Sequence, residues 1–325
     1  MRVLVTGANS FIGSALLARA ALDSTLRLRG SVRQSVADLQ GGVETVRVGD
    51  LAPDTNWAEA LRSVDAIVHT AARVHVLRES ATNPLAEFRW INVAGTLNLA
   101  RQAAAAGVQR FVFISSIGVN GAETFDVPFT ADDRAAPHSP YSISKHEAEL
   151  GLKQLAHATG LDVVIIRPPL VYGPKAKGNF DRLLKIMHQG IPLPLGAIQN
   201  RLSLVALDNL VDLIVTCLIH PAGANRTFLV SDGDDISTTD LLRRTGAALG
   251  KPARLMRVPP LALRTAARFL GKAELAQRLC GSLQVDIGYT RELLGWNPRV
   301  SVDEALKQAA RHFLANLSGA PTLID

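Results

Sequence analysis

The chain has 325 residues, 47% of them apolar and 20% charged, with a formal net charge of +6. That length can bury a full core in one large α/β unit or two closely knit lobes, and the composition is too apolar for intrinsic disorder. Aromatic residues make up only 5% and no run of Lys and Arg occurs, so the positive balance fits a solvated surface and an anionic small ligand rather than nucleic acid.

Strand-like residues begin at Val3, almost at the N-terminus, so no signal peptide is expected. The apolar stretch Leu210 to Ile219 is broken by Asp212 and is too short to span a bilayer, so no integral membrane segment is expected. Cys217 and Cys280 sit in apolar segments without metal-type spacing; they read as core thiols in a reducing cytoplasm, and no metal site is expected.

Short runs rich in Val and Ile alternate with Ala-rich stretches, which is the pattern of βαβ units and a parallel sheet. Strands are predicted at Val3–Thr6, Leu26–Val32, Val43–Val48, Ala66–Thr70, Arg110–Ser115 and Asp162–Arg167. Helices are predicted at Phe11–Ala21, Trp57–Leu61, Ala86–Ala106 and Tyr141–Ala158. Ser139 and Pro140 should cap and open the last of these. After Arg167 the chain turns rich in Pro and Gly, and a second lobe is expected to begin there. Leu202–Val205 again reads as strand. Arg264, Arg268 and Lys272 share one face of a further expected helix, read as a solvated face, with contact to an acidic membrane surface as the alternative.

The first stretch to carry chemistry is TGANSFIG, Thr6 to Gly13. It follows an apolar strand and opens a helix, the setting in which a glycine-rich loop cradles a dinucleotide pyrophosphate. Gly7 permits the sharp turn, Gly13 lets the helix pack close, and amides around Asn9, Ser10, Phe11 and Ile12 face the phosphates. The middle glycine of the motif is replaced by Ser10, whose hydroxyl either caps the helix or donates to a phosphate oxygen. About twenty residues on, where an acid would hold the ribose hydroxyls of NAD, the sequence reads RLRGSVRQ. Arg33, with Ser31 or Arg29, suits a 2′-phosphate, so NADP is favoured over NAD. Asp50 and Leu51, after the third strand, are placed to meet the adenine.

In PYSISKHEAEL, Tyr141 and Lys145 stand four apart on one helix face. A phenol of ordinary pKa about 10 is a poor acid–base group, and an ammonium one turn away is expected to lower it. The strand end FVFISSIGVNG brings Ser115 and Ser116 to the C-terminal edge of the sheet, where ligands bind in such folds.

These stretches, together with VHTAA, INVAGTLNLA, RPPLVYGP and RELLGWNP in this order, resemble the extended short-chain dehydrogenase/reductases of the nucleotide-sugar epimerase/dehydratase group over almost the whole chain. The resemblance implies a Rossmann doubly wound parallel sheet with a smaller C-terminal α/β substrate-binding lobe. The first would take residues 1–167 and 201–230, the second 168–200 and 231–325. It implies Ser116, Tyr141 and Lys145 as the catalytic set. Ala71, Ala72, His69, Asn92 and Pro168 would line the cofactor, with Leu170 and Tyr172 following. Asn179, Arg201 and Arg278 would meet a sugar-nucleotide diphosphate, since guanidinium groups grip phosphate oxygens in pairs. Arg73 and Asn120 depart from the family pattern and are expected to touch the substrate. A homodimer through the helices Ala86–Ala106 and Tyr141–Ala158 is also implied.

Dehydratases of the group carry acids at the end of the serine strand, where this chain has Ser115, Ser116 and Ile117, so dehydration is disfavoured. Arg33 leans the reading to a 4-keto reductase. The likeness is to O-antigen enzymes that reduce UDP-4-keto-6-deoxy-N-acetylglucosamine to UDP-N-acetylquinovosamine with NAD(P)H. A UDP-sugar 4-epimerase with tightly held NAD is the alternative. A regulator that senses NADP without turnover is a remote third.

Overall fold

The computed structural model describes residues 1–20, 25–34, 43–74, 82–176 and 178–318. In chain order the first part runs β1 (Arg2–Thr6), α1 (Phe11–Ala20), β2 (Arg27–Val32), β3 (Glu44–Arg47), β4 (Ala66–His69), α2 (Pro84–Phe88), α3 (Thr96–Ala105), β5 (Arg110–Ile114), α4 (Pro140–Thr159) and β6 (Asp162–Arg167). Then come β7 (Leu170–Tyr172), α5 (Asn179–Gln189), β8 (Leu204–Ala206), α6 (Leu207–Ile219), β9 (Thr227–Leu229), α7 (Thr238–Ala248), α8 (Pro260–Phe269), α9 (Ala273–Cys280), α10 (Gly288–Leu294) and α11 (Val302–Ser318). The predicted helix end at Ala21 lies outside the described residues.

The main sheet has seven strands in the order β3-β2-β1-β4-β5-β6-β9, every neighbouring pair parallel. Its strands are apolar on both faces because helices cover both. Side chains alternate across the sheet, so Val3, Val5, Val68, Val112 and Ile166 meet α1 and α6, through Leu16, Leu210 and Ile214. Leu4, Ile67, Phe111, Phe113 and Ile165 face the other way, onto Leu99, Ala103 and Leu152 of α3 and α4. A third apolar cluster joins Tyr172, Phe180 and Leu184 to Leu241, Leu242 and the inner face of α11, beside the two-stranded sheet β7-β8.

Two predicted helices differ from expectation. Trp57–Leu61 forms turns rather than a helix. The Leu61 amide reaches the Trp57 carbonyl, but the next bonds tighten to the i+3 type, Arg62 to Glu59 and Val64 to Leu61; Nη1 of Arg29 also donates to the Glu59, Ala60 and Arg62 carbonyls, and Ser63 leaves with φ 54°. The expected helix Ala86–Ala106 starts early, at Pro84 behind an Asn83 cap, and contains a π-helical segment, Arg89–Gly95, between α2 and α3. Helix α4 opens as predicted: the Ser139 hydroxyl accepts from the Ser142 amide, and Pro140 occupies the first turn. Cys217 and Cys280 are buried, free thiols.

Candidate active site

The loop after β1 is held by backbone geometry that only glycine accepts. Gly7 sits at φ +68°, and a Cβ there would stand 3.0 Å from Ala71 Cα and N. A Cβ on Gly13 would fall 2.2 Å from the Gly7 carbonyl, so α1 could not approach the loop with any larger residue. Ser10 resolves into a structural part. Its Oγ accepts from the Gly13 amide at 3.0 Å and lies 3.0 Å from Thr70 Oγ1. Thr70 gives its own proton to the Thr6 carbonyl at 2.6 Å, so the Ser10 hydroxyl is the donor to Thr70. Its Oγ therefore caps the start of α1, one of the two expected roles.

Past β2, Arg33 and Asp50 are both highly exposed and face each other at 3.5 Å. Arg29 does not belong with them, correcting the sequence reading. It is buried, pairs with Glu44 at 2.6 Å, and ties β2 to the 59–62 turns. Ser31 is likewise buried, and its carbonyl accepts from the Ala8 amide. Leu51 packs against Gly95, where a Cβ would come within 2.9 Å of its Cγ.

Below the loop, His69 is fully buried between two hydroxyls, Thr6 Oγ1 at 2.7 Å from Nδ1 and Thr96 Oγ1 at 2.9 Å from Nε2. Burial, aided by the Lys145 charge, drives its pKa down to about 3, so the ring is neutral. Ala71, Ala72 and Arg73 continue along the cleft, half-buried. Asn92, on the π-helical segment, pins them in place. It accepts from the Arg73 amide at 2.8 Å and donates to the Arg73 carbonyl and the Ser144 hydroxyl, both at 3.0 Å. The Arg73 guanidinium lies 5.4 Å from the Phe88 ring centroid.

The two serines at the end of β5 have different duties. Ser115 is buried and donates to Glu149 Oε1 at 2.5 Å. Ser116 is half-buried, and its Oγ accepts from the Gly118 amide at 3.1 Å at the start of a short 3₁₀ turn. That turn abuts the opening of α4: a Cβ on Gly118 would be 3.2 Å from Ser142 Cβ. The Ile117 amide fastens it to the Pro168 carbonyl at 3.0 Å, which places the buried Pro168 beside it.

Lys145 is buried, donates to the Ile114 carbonyl at 2.8 Å, and stands 4.4 Å above Phe113 and 5.9 Å from the centroid of the Tyr141 ring. Burial lowers its pKa to about 7 against the opposing charge of Glu149. Burial pushes the Tyr141 phenol up to about 12. The phenol thus lies above its ordinary value, opposite to the expectation from the neighbouring ammonium, and desolvation is the cause.

Asn120, expected to touch the substrate, is buried and committed elsewhere. It donates to the Thr130 carbonyl at 2.7 Å and accepts from Arg167 Nη1 at 3.0 Å. Arg167 in turn grips Glu149 at both oxygens, so Ser115, Glu149, Arg167 and Asn120 form one buried network behind the serine turn. Sequence reasoning missed Glu149 and Arg167. The available signal was Glu149 four residues past Lys145, and so on the same inward face.

On the substrate side, Asn179 is exposed at the first position of α5. The backbone of Arg201 is clamped to the 282–283 segment, by its amide to Ser282 Oγ and its carbonyl to the Leu283 amide, while its residue remains exposed. Arg278 is exposed on α9, 3.8 Å from Glu274. Residues 282–285 also pair with Thr124 and Phe129, so the segment stitches the serine turn's lobe to the strand before α6.

A model of the NAD dependent epimerase/dehydratase family matches residues 3–231. A UDP-glucose 4-epimerase of Vibrio cholerae is 45% identical over 314 residues, covering 96% of this chain and 95% of that protein. A UDP-glucose 4-epimerase of Mycolicibacterium smegmatis is 28% identical, over 96% and 98%. Among solved structures, the UDP-glucuronic acid 4-epimerase of Bacillus cereus with NAD superposes with a TM-score of 0.80 at 20% identity, over 99% of each chain, which is a likeness of fold. The cradle formed by Gly7 and Gly13, closed to any Cβ, suits the close backbone approach of a dinucleotide pyrophosphate at the N-terminus of α1. Glycine cradle, parallel sheet and end-to-end matches agree, and the chain belongs to the NAD dependent epimerase/dehydratase family.

Proposed function

We propose that the protein is a UDP-sugar 4-epimerase that keeps its NAD through the reaction. The observation that carries this reading is the 45% identity, over nearly the whole of both chains, to a UDP-glucose 4-epimerase. NAD supplies, when bound, the acceptor and then the donor of a hydride at the sugar C4. Tyr141 takes the proton of the C4 hydroxyl at its phenol oxygen and returns it to the C4 oxygen. Ser116, half-buried while Ser115 is buried and committed to Glu149, holds the C4 oxygen. Lys145 holds the nicotinamide ribose. Its charge favours the phenolate, and it must outweigh the burial that raises the phenol. Asn179, Arg201 and Arg278 hold the diphosphate, and Arg73 faces the sugar.

The 4-keto reductase of O-antigen precursor synthesis is the second reading, supported by exposed Arg33 at the end of β2, where NADP(H) would place a 2′-phosphate. Asp50, 3.5 Å away, opposes it by placing a carboxylate at the same spot. The domain division at residues 168–200 and 231–325, a cytoplasmic location, and a homodimer through α2–α3 and α4 complete the proposal. Exposed Trp90 and Leu150 support the dimer.

The test is the cofactor released from denatured protein together with turnover. Tightly held NAD, and interconversion of UDP-glucose with UDP-galactose or of their N-acetyl forms without added cofactor, is the expected result. Consumption of NADPH or NADH with the 4-keto sugar and no interconversion would replace this reading by the reductase.

A further inference from the structure

The charge of this chain is concentrated. Of its 35 Lys and Arg and 29 Asp and Glu, seven and one respectively fall in residues 251–280, so that segment alone holds the whole formal excess of +6. Its residues 260–280 form α8 and α9 and carry four of those seven cations, Arg264, Arg268, Lys272 and Arg278, with the one acid, Glu274.

Helix α8 has no buried residue. At 3.6 residues per turn, Leu261, Ala262, Thr265, Ala266 and Phe269 fall on its outward face, with no charge among them. Leu261 is 77% exposed and Phe269 87%, and at the turn into α9 Leu270 and Leu275 add 71% and 52%. Arg264 and Arg268 flank this face, and Lys272 follows at the turn. Arg264 donates to the Cys280 carbonyl at 3.2 Å, which fixes the angle between the two helices. A depression of about 360 Å³ opens at the tip, lined by Gly271, Lys272, Leu275 and Arg278 among others.

A large apolar face in water is unfavourable, and its cationic border decides what can cover it. A second copy of the chain, docked by the same face, would set Arg264, Arg268 and Lys272 of the one against those of the other. A nucleic acid would satisfy the cations and leave Leu261, Phe269 and Leu270 wet. An anionic bilayer satisfies both, taking apolar side chains at the acyl boundary and cations among the headgroup phosphates. Among the described residues no helix is long and apolar enough to cross a membrane, so the association is in-plane.

We propose that the α8–α9 hairpin docks this enzyme on an anionic phospholipid surface, with Leu261, Phe269 and Leu270 inserted and Arg268 and Lys272 at the headgroups. The docking is independent of which sugar reaction the active site performs.

The experiment is co-sedimentation of the full-length protein with vesicles of phosphatidylcholine alone or mixed with phosphatidylglycerol. Two double variants accompany it, Leu261→Asp with Phe269→Asp and Arg268→Glu with Lys272→Glu. Binding should favour the anionic vesicles by on the order of tenfold and weaken with salt, and each double variant should lose most of it. Unfolding temperature and turnover in solution should be unchanged in both, since all four residues are exposed. Equal or absent binding to the two vesicle types overturns the proposal. So does unaltered vesicle binding with a change of oligomeric state by light scattering, or binding to duplex DNA in place of vesicles.

Discussion

Arg167 holds Glu149 with two parallel hydrogen bonds, Nε to Oε1 at 2.9 Å and Nη2 to Oε2 at 2.6 Å, where neither side chain is more than 5% exposed. Because the pair is out of water, loss of one partner strands the other as an unpaired buried charge. Glu149→Leu or Arg167→Met should each lower stability by about 3–5 kcal/mol, while Glu149→Leu with Arg167→Met should recover a large share. Urea unfolding of the three variants checks this through the interaction energy of the cycle. Equal losses in the single and double variants would remove the pair from the account.

Ser10 should behave as a helix cap rather than a phosphate ligand. Ser10→Ala should cost about 1 kcal/mol of stability and Ser10→Gly only a few tenths for the cap itself, plus the bond to Thr70. Cofactor affinity should stay within about threefold in both. A tenfold weaker affinity for NAD in Ser10→Ala, read by calorimetry, would return the hydroxyl to the pyrophosphate.

If the exposed pair Arg33 and Asp50 reads the adenosine end, its variants should change cofactor preference. Arg33→Ala should weaken NADP by about tenfold and leave NAD nearly unchanged, and Asp50→Asn should strengthen NADP. The ratio of dissociation constants for the two cofactors decides it; an unchanged ratio in both variants would remove this pair from cofactor choice.

The site also writes itself into the pH dependence of stability in the cofactor-free protein. Lys145 titrates near 7 when folded and near 10.5 when unfolded, so between these values the unfolded chain binds more protons. Stability should therefore rise with pH across that window, by at most about 1.4 kcal/mol per unit, and Lys145→Met should flatten it. Tyr141 works in the opposite sense, with a folded value of about 12 above an ordinary 10, so stability should fall as pH rises from 10 to 12. His69, lowered to about 3, adds a loss as pH drops from 6.5 towards 3. Chemical denaturation from pH 4 to 11 should show these slopes.

Tyr141→Phe should reduce turnover by about 10²- to 10⁴-fold while leaving cofactor retention intact. Unchanged turnover would take the phenol out of the mechanism.

What could be read from the amino acids alone follows a physical divide. Strands β1, β4, β5 and β6 are continuous apolar runs ended by polar residues, and the local rule that makes them strands also places Ser116 and the loop at their C-terminal edges. Glycine and capping signals are equally local, as Gly7 and Ser139 illustrate. Asn120 and Arg29 were misplaced because their partners are distant in sequence: Arg167 lies 47 residues from Asn120, and the carbonyls bound by Arg29 lie 30 to 33 away. The same holds for Tyr141. Its spacing from Lys145 is visible in the sequence, but the burial that raises its pKa is a property of the assembled cleft.

The slipped turn between α2 and α3 gives that helix two rotational phases. A π-helical segment fits one more residue into a stretch that an α-helix would cross without it. Deleting one residue within 89–95 would straighten the register and make a more regular rod. It would also turn everything upstream by about 100° relative to Leu99 and Ala103, whose seat on the sheet is fixed. Asn92 would then no longer face Arg73 and Ser144, and the wall of the cleft would lose its anchor. Here irregularity is what allows one helix to serve the core along one stretch and the cleft along another.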